Sequence, residues 1–194
     1  MNLKDYRISA LNQFVALGLC LIVASHLPAA DDKPLLPVKH RITGLFSPDR
    51  QDDLRQLIQE KLPEVKLESI DFANSEATFI YDANKLLNGP KPEQVVERFD
   101  NLLRTHSAST FGVKPLSTIP KEKLTRLEIP VVGLDCKGCC LGVYEAILRV
   151  EGVEQATASF KDGLVTAVID PTKTNQMALE MTLTKLGVQL ATKK

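Results

Sequence analysis

Cys136 and Cys139 stand three positions apart in the run Gly133-Leu134-Asp135-Cys136-Lys137-Gly138-Cys139-Cys140. Cysteines at that spacing, spread over a loop and the first turn of a helix, bring both sulfurs to one exposed metal ion. The helix N-terminus adds backbone N–H groups and a positive dipole end, and Lys137 adds a cation; both favour the thiolate. Thiolates select soft or borderline ions, such as Cu(I), Zn(II) or heavier congeners. Two other chemistries use the same pair. In an oxidising compartment it closes as a disulfide and leaves an inert module. A thiol–disulfide enzyme also uses Cys-x-x-Cys, normally with an aromatic before the first Cys, where this chain has Asp135. The next helical position after Cys139 points about 100° away, so Cys140 reads as a small, partly buried thiol, with a third ligand as its alternative role.

The elements that hold this run repeat an earlier stretch of the chain. Gly44-Leu45 recurs as Gly133-Leu134, an offset of 89 residues, and Val65 and Asp82 recur as Val153 and Asp170 at 88. Leu54, Leu57 and Ile58 map by 89 onto Val143, Ala146 and Ile147, an i, i+3, i+4 helical face. In the second copy Leu127, Ile129 and Val131 alternate as a strand, and a helix through Val143–Val150 follows. Two alternating runs, Ala156–Phe160 and Val165–Ile169, flank Lys161-Asp162-Gly163, a hairpin signal. Leu179, Leu183 and Leu186 mark a second helix before a short strand, Val188–Ala191. The order is βαββαβ, with two helices on one face of a four-stranded sheet. The first copy gives strand 39–43, helix 52–62, strands 66–72 and 77–81, helix 93–103 and a short strand near Phe111, with a linker over 114–123. Ser47 and Pro48 read as the N-cap and first residue of its first helix. There the cysteine positions hold Ser47 and Arg50, neither a soft-metal ligand. His40 and His106, near strand ends, read as solvated histidines rather than ligands.

Upstream, Lys4 and Arg7 precede an apolar run, Phe14–Ala24, and a small-residue exit through Ala30. That is the build of a secretory signal peptide; a spanning helix needs about 18 or more apolar residues. An uncleaved membrane anchor is the alternative. Export removes Cys20 and leaves three of the four cysteines within five residues, too close to form a stabilising disulfide framework. The 24 Lys+Arg against 24 Asp+Glu leave no basic surplus for general nucleic-acid binding. Neither a Ser/His/Asp set nor a phosphate loop is legible, so no enzyme is expected.

Gly133, Cys136, Cys139, Gly152-Val153, Asp170-Pro171 and Gly187 occur in an order and spacing that resemble the heavy-metal-associated domain family. Copper chaperones, metal-exporting ATPase tails and periplasmic mercury-binding proteins carry this module. The resemblance covers about a third of the chain, roughly 127–190, and implies a ferredoxin-like fold with Cys136 and Cys139 as metal ligands. Leu134 replaces the family's usual Met, and Val188 stands where an aromatic or Lys is common. Asp135 before the first Cys resembles the zinc-, cadmium- and lead-exporting branch, which implies an added oxygen ligand.

The expectation is an α+β chain of two tandem ferredoxin-like βαββαβ domains. A signal peptide is expected over 1–30, a degenerate heavy-metal-associated-like domain over 38–114, and a heavy-metal-associated domain with Cys-x-x-Cys over 124–192. The expected function is an exported protein, periplasmic or secreted, that holds one Cu(I)- or Zn(II)-like ion for trafficking or sequestration. Its ligands are Cys136 and Cys139, with Asp135 and Cys140 as auxiliary candidates. A metal transporter or another thiolate acceptor would take the ion, with no nucleic acid and no membrane span in the mature form. The alternative is a docking protein whose cysteine pair is oxidised or inert.

Overall fold

Alternation in β1 (Val38–Thr43) buries His40 and Ile42 on one face and turns Lys39 outward. The same period of two returns at Glu76–Ile80 in a computed structural model that describes residues 35–191. The signal segment expected over 1–30, Cys20 included, lies outside the described residues. After β1 come α1 (Arg50–Lys61), β2 (Lys66–Asp71), β3 (Glu76–Ile80), the short α2 (Ala83–Leu86), α3 (Val95–His106) and β4 (Gly112–Lys114). The second half runs β5 (Thr125–Val132), α4 (Lys137–Leu148), β6 (Val153–Ser159), β7 (Leu164–Ile169), α5 (Gln176–Lys185) and β8 (Gln189–Leu190). The strands form two four-stranded sheets, ordered β2-β3-β1-β4 and β6-β7-β5-β8, and every pairing is antiparallel. The architecture is α+β.

In each half the first strand lies inside the sheet, so the chain leaves a fixed strand end before entering its first helix. β5 pairs with β7 from Thr125↔Ile169 to Pro130↔Leu164, and with β8 at Val131↔Leu190. The apolar faces read from the 89-residue offset hold their register: Leu54 and Ile58 are buried on α1, and Val143 and Ile147 on α4.

Several boundaries differ from the sequence expectation. Ser47 does not cap α1. Its hydroxyl donates to Asp49 Oδ1 at 2.6 Å, and Arg50 N–H donates to Ser47 O at 3.1 Å, which closes a turn ahead of the helix. Asp49 then stands at the N-cap. α4 itself runs from Lys137, with Cys136 as its N-cap, so the cysteine pair spans the loop and the first turn. Lys114 belongs to β4 rather than to the linker, and His106 closes α3 rather than a strand.

His40 is 2% exposed, its Nε2 3.0 Å from Tyr81 Oη and its ring 5.3 Å from that of Phe99. It is a core residue, not a solvated one. Burial holds the imidazole below its usual 6.5, and pushes the Tyr81 phenol up to about 12. A histidine whose folded-state value is depressed binds its proton more readily in the unfolded chain. Its contribution to stability is therefore complete above about pH 6.5 and is lost as the pH falls from there through the lower folded value. Urea unfolding at pH 7.5 and pH 5.0 should show this loss, and His40→Leu should flatten the dependence across the window.

The two halves meet within one compact unit, Pro34–Lys194. Phe46, from the turn between β1 and α1, is 5% exposed and belongs to the second half's core, together with Tyr144, Cys140 and Ala158. Its carbonyl accepts from Ala158 N–H of the edge strand β6 at 2.9 Å. Arg41 pairs with Glu154, and Gln155 Nε2 donates to Phe72 O at 3.2 Å.

Candidate metal centre

The chain leaves β5 through Gly133, whose φ of +86° lies in the left-handed region that glycine adopts without steric cost. Leu134 anchors the loop at 7% exposure, packed in the second half's core. Asp135 and Cys136 stand exposed beyond it, and Cys139 is half-buried in the first turn of α4. One ligand atom from each of Asp135, Cys136 and Cys139 lies within 4.8 Å of the other two, the one such group found among the described residues. Cys136, in extended backbone, is the N-cap, and its Sγ accepts from Cys139 N–H at 3.1 Å. Capping by a sulfur aims the helix's unpaired N–H groups at the ligand atoms, which favours negative charge there.

Cys136 and Cys139 are paired as a disulfide, with Cα atoms 5.2 Å apart, inside the range that such a bond accepts. Metal binding needs the reduced pair. With both thiols restored, the Cys139 thiol can donate to Asp135 Oδ1 across 3.4 Å, a contact that is no hydrogen bond in the oxidised form. Two thiolates and one carboxylate suit a soft or borderline cation.

Cys140 is not with them. It is 1% exposed, lies among Phe46, Tyr144 and Val143, and burial pushes its thiol up. On α4, Lys137, Cys140, Leu141, Tyr144 and Leu148 follow at i, i+3, i+4, i+7 and i+11, one stripe of the helix. That stripe meets the first half: Tyr144 Oη accepts from Gly44 N–H at 2.7 Å. Lys137 does not lean over the sulfurs. Its ammonium pairs with Asp49 of the first half at 2.6 Å, holding the Asp49 carboxyl below the usual carboxylate range and raising its own value. Cys139 instead lines a groove of about 440 Å³, with Leu134, Val143, Leu186 and Val188 among its walls.

The corresponding turn in the first half has become a contact. Gly44 (φ +95°) cannot carry a side chain, because a Cβ there would meet Thr110 O at 2.1 Å. At the position matching Cys139, the Arg50 guanidinium lies 4.3 Å from the Phe111 ring centre and 5.3 Å from that of Phe46. It also donates to Gly44 O at 3.3 Å and pairs with Asp53. A cation of the chain itself thus lies where the other half carries a cysteine. Phe46 and Tyr144, which make the contact, were not singled out from sequence. The one signal in the sequence is the aromatic at position 46, where the other half has Asp135.

No family model matches the chain. The mercuric transport protein periplasmic component of Shewanella putrefaciens is 30% identical over 79 residues, which span 41% of this chain and 85% of that protein. Among solved structures, oxidized MerP from Ralstonia metallidurans CH34 is 25% identical, covering 37% of this chain and 99% of that one, at a TM-score of 0.34. The N-terminal domain of a potential copper-translocating P-type ATPase from Bacillus subtilis, in the Cu(I)-loaded state, is 26% identical over 36% of this chain and 88% of that one, at 0.34. The N-terminal domain of the zinc(II) ATPase ziaa, in its apo form, is 28% identical over 35% of this chain and 64% of that one, at 0.32.

Proposed function

The chain belongs to the heavy-metal-associated domain family, and from that membership we propose that it binds one soft or borderline metal ion between Cys136 and Cys139, for trafficking or sequestration. The observation that carries this reading is the convergence of the two sulfurs and the Asp135 carboxylate within 4.8 Å. We read the chain as two tandem ferredoxin-like domains, 38–114 and 124–192, only the second of which kept its ligands. The described residues contain no helix long and apolar enough to cross a membrane. The mature protein acts in the periplasm or outside the cell, with 1–30 as its signal; the periplasmic relative supports this placement.

Transfer proceeds by ligand exchange. An acceptor thiolate, on a metal transporter or another thiolate protein, attacks the ion while one cysteine lets go. Cys136 is the more exposed of the two and sits on the loop, so it leaves first. Asp135 decides which ion is held. Its carboxylate is a hard oxygen donor that suits a divalent borderline ion such as Zn(II) better than Cu(I). The second reading is a docking protein with an inert cysteine pair, and the disulfide between Cys136 and Cys139 favours it.

Anaerobic reduction followed by competition between Zn(II) and Cu(I) tests both readings. The reduced protein should bind one ion per chain, and Asp135→Asn should weaken Zn(II) about tenfold, the lower end for losing a supporting metal contact, with Cu(I) nearly unchanged. A reduced protein that takes up neither ion leaves only the docking reading.

A further inference from the structure

Building on Cys136 and Cys139 as ligands, we propose that the ligand-free half positions the metal loop, with Asp49 as the positioning residue acting through Lys137. The turn that reaches across, Gly44–Asp49, is the counterpart of the cysteine loop at the 89-residue offset. It holds α4 at two points on one stripe. Tyr144 Oη accepts from Gly44 N–H at 2.7 Å, buried against Phe46, and seven residues earlier Lys137 Nζ donates to Asp49 Oδ2 at 2.6 Å. Seven residues are about two turns, or roughly 10 Å along the axis. Two anchors that far apart fix the direction of α4 and not merely its place. Lys137 is the first residue of α4 and lies between the two ligands, so fixing it fixes the turn in which Cys136 caps Cys139.

The pair also disposes of a charge. An ammonium free to swing over the sulfurs would repel an arriving cation and compete with it for the thiolates. Asp49 draws that ammonium to the opposite flank of the helix start, and the donor set keeps its negative charge for the metal. Cys139, about 200° around the helix from Lys137, faces the groove on the far side, clear of the contact between halves.

A charge swap in the full-length reduced protein tests this, using Asp49→Lys, Lys137→Asp and the double variant. Hydrogen exchange is read at the amides of Cys139 and Cys140, whose partners are Cys136 Sγ and Cys136 O, and Zn(II) affinity by chelator competition. Each single variant should speed exchange at those two amides up to about fivefold, the range of an exposed ion pair; Asp49→Lys, which frees the Lys137 ammonium, should weaken Zn(II), whereas Lys137→Asp, which removes it, should not. The amides of α3 should not change. The double variant, with the pair rebuilt in reverse, should return exchange, and the Zn(II) affinity lost in Asp49→Lys, toward wild type. Exchange at Cys139 and Cys140 that stays at the wild-type rate in the single variants overturns the proposal, as does a double variant that exchanges as fast as the singles. If the wild type binds no Zn(II), the ligand reading fails separately, while exchange still decides whether Asp49 holds the loop.

Discussion

Reduced protein carrying Cys136→Ser and Cys139→Ser together should retain essentially no soft metal, whereas the reduced wild type holds one ion per chain. Apparent binding energies of about 10–16 kcal/mol for four-ligand zinc sites correspond to about 3 kcal/mol per ligand. Each lost thiolate then costs about a hundredfold in affinity, and two cost about ten thousandfold. A serine hydroxyl does not replace the thiolate, because it stays protonated at neutral pH and is a poor donor to a soft ion. Cys140→Ala is the matched comparison. It removes a thiol from the same turn, but one that is 1% exposed and packed against Phe46 and Tyr144, so stoichiometry should hold while stability falls somewhat. Metal analysis of the three proteins after anaerobic purification decides the matter; equal metal in the double variant and the wild type would move the site away from these sulfurs. Acid should act in the same direction as the substitutions, since the ligands must lose their protons to bind.

What the residues reveal in one dimension is whatever depends on near neighbours. Leu54 and Ile58, Val143 and Ile147 declare two buried helical faces, because a period of 3.6 is a local property. Lys161-Asp162-Gly163 declares the β6–β7 turn, whose Gly163 has a φ of +58°. The cluster of Asp135, Cys136 and Cys139 is equally local, spanning five residues. The contacts between halves are not. Gly44 meets Tyr144 across 100 residues, and Arg41 meets Glu154 across 113. Neither contact leaves a periodicity, and each residue alone reads as an ordinary turn glycine, helix tyrosine or surface charge. Lys137 is the instructive case. Its nearness to the cysteines suggests a cation for the thiolates, yet a carboxylate remote in sequence claims it. His40 misleads for the same reason: Tyr81 and Phe99 are what make it a core residue.

Phe46→Ala should be among the costliest side-chain truncations in the first half's turn. The ring is 5% exposed, packs 5.8 Å from Tyr144 and carries the Arg50 guanidinium at 5.3 Å. Truncating a buried phenylalanine costs about 3–5 kcal/mol in lost transfer energy and residual cavity, a large share of the 5–15 kcal/mol typical of a folded protein. Here the lost ring comes from one half and packs in the core of the other, so the loss should also uncouple the halves. The chain has no Trp, and of its three tyrosines Tyr81 and Tyr144 report on the first and second halves respectively. In urea the wild type should unfold in one transition by both tyrosine signals, and Phe46→Ala should bring the midpoint down and separate the two. Phe46→Leu keeps most of the apolar volume and should fall between. A loss below about 1 kcal/mol, the size of a surface change, would mean that the halves hold each other by other contacts. Position 46 corresponds to Asp135 at the 89-residue offset. At one place in a repeated turn, the chain therefore carries a carboxylate beside two cysteines in one half and a ring that binds the halves together in the other.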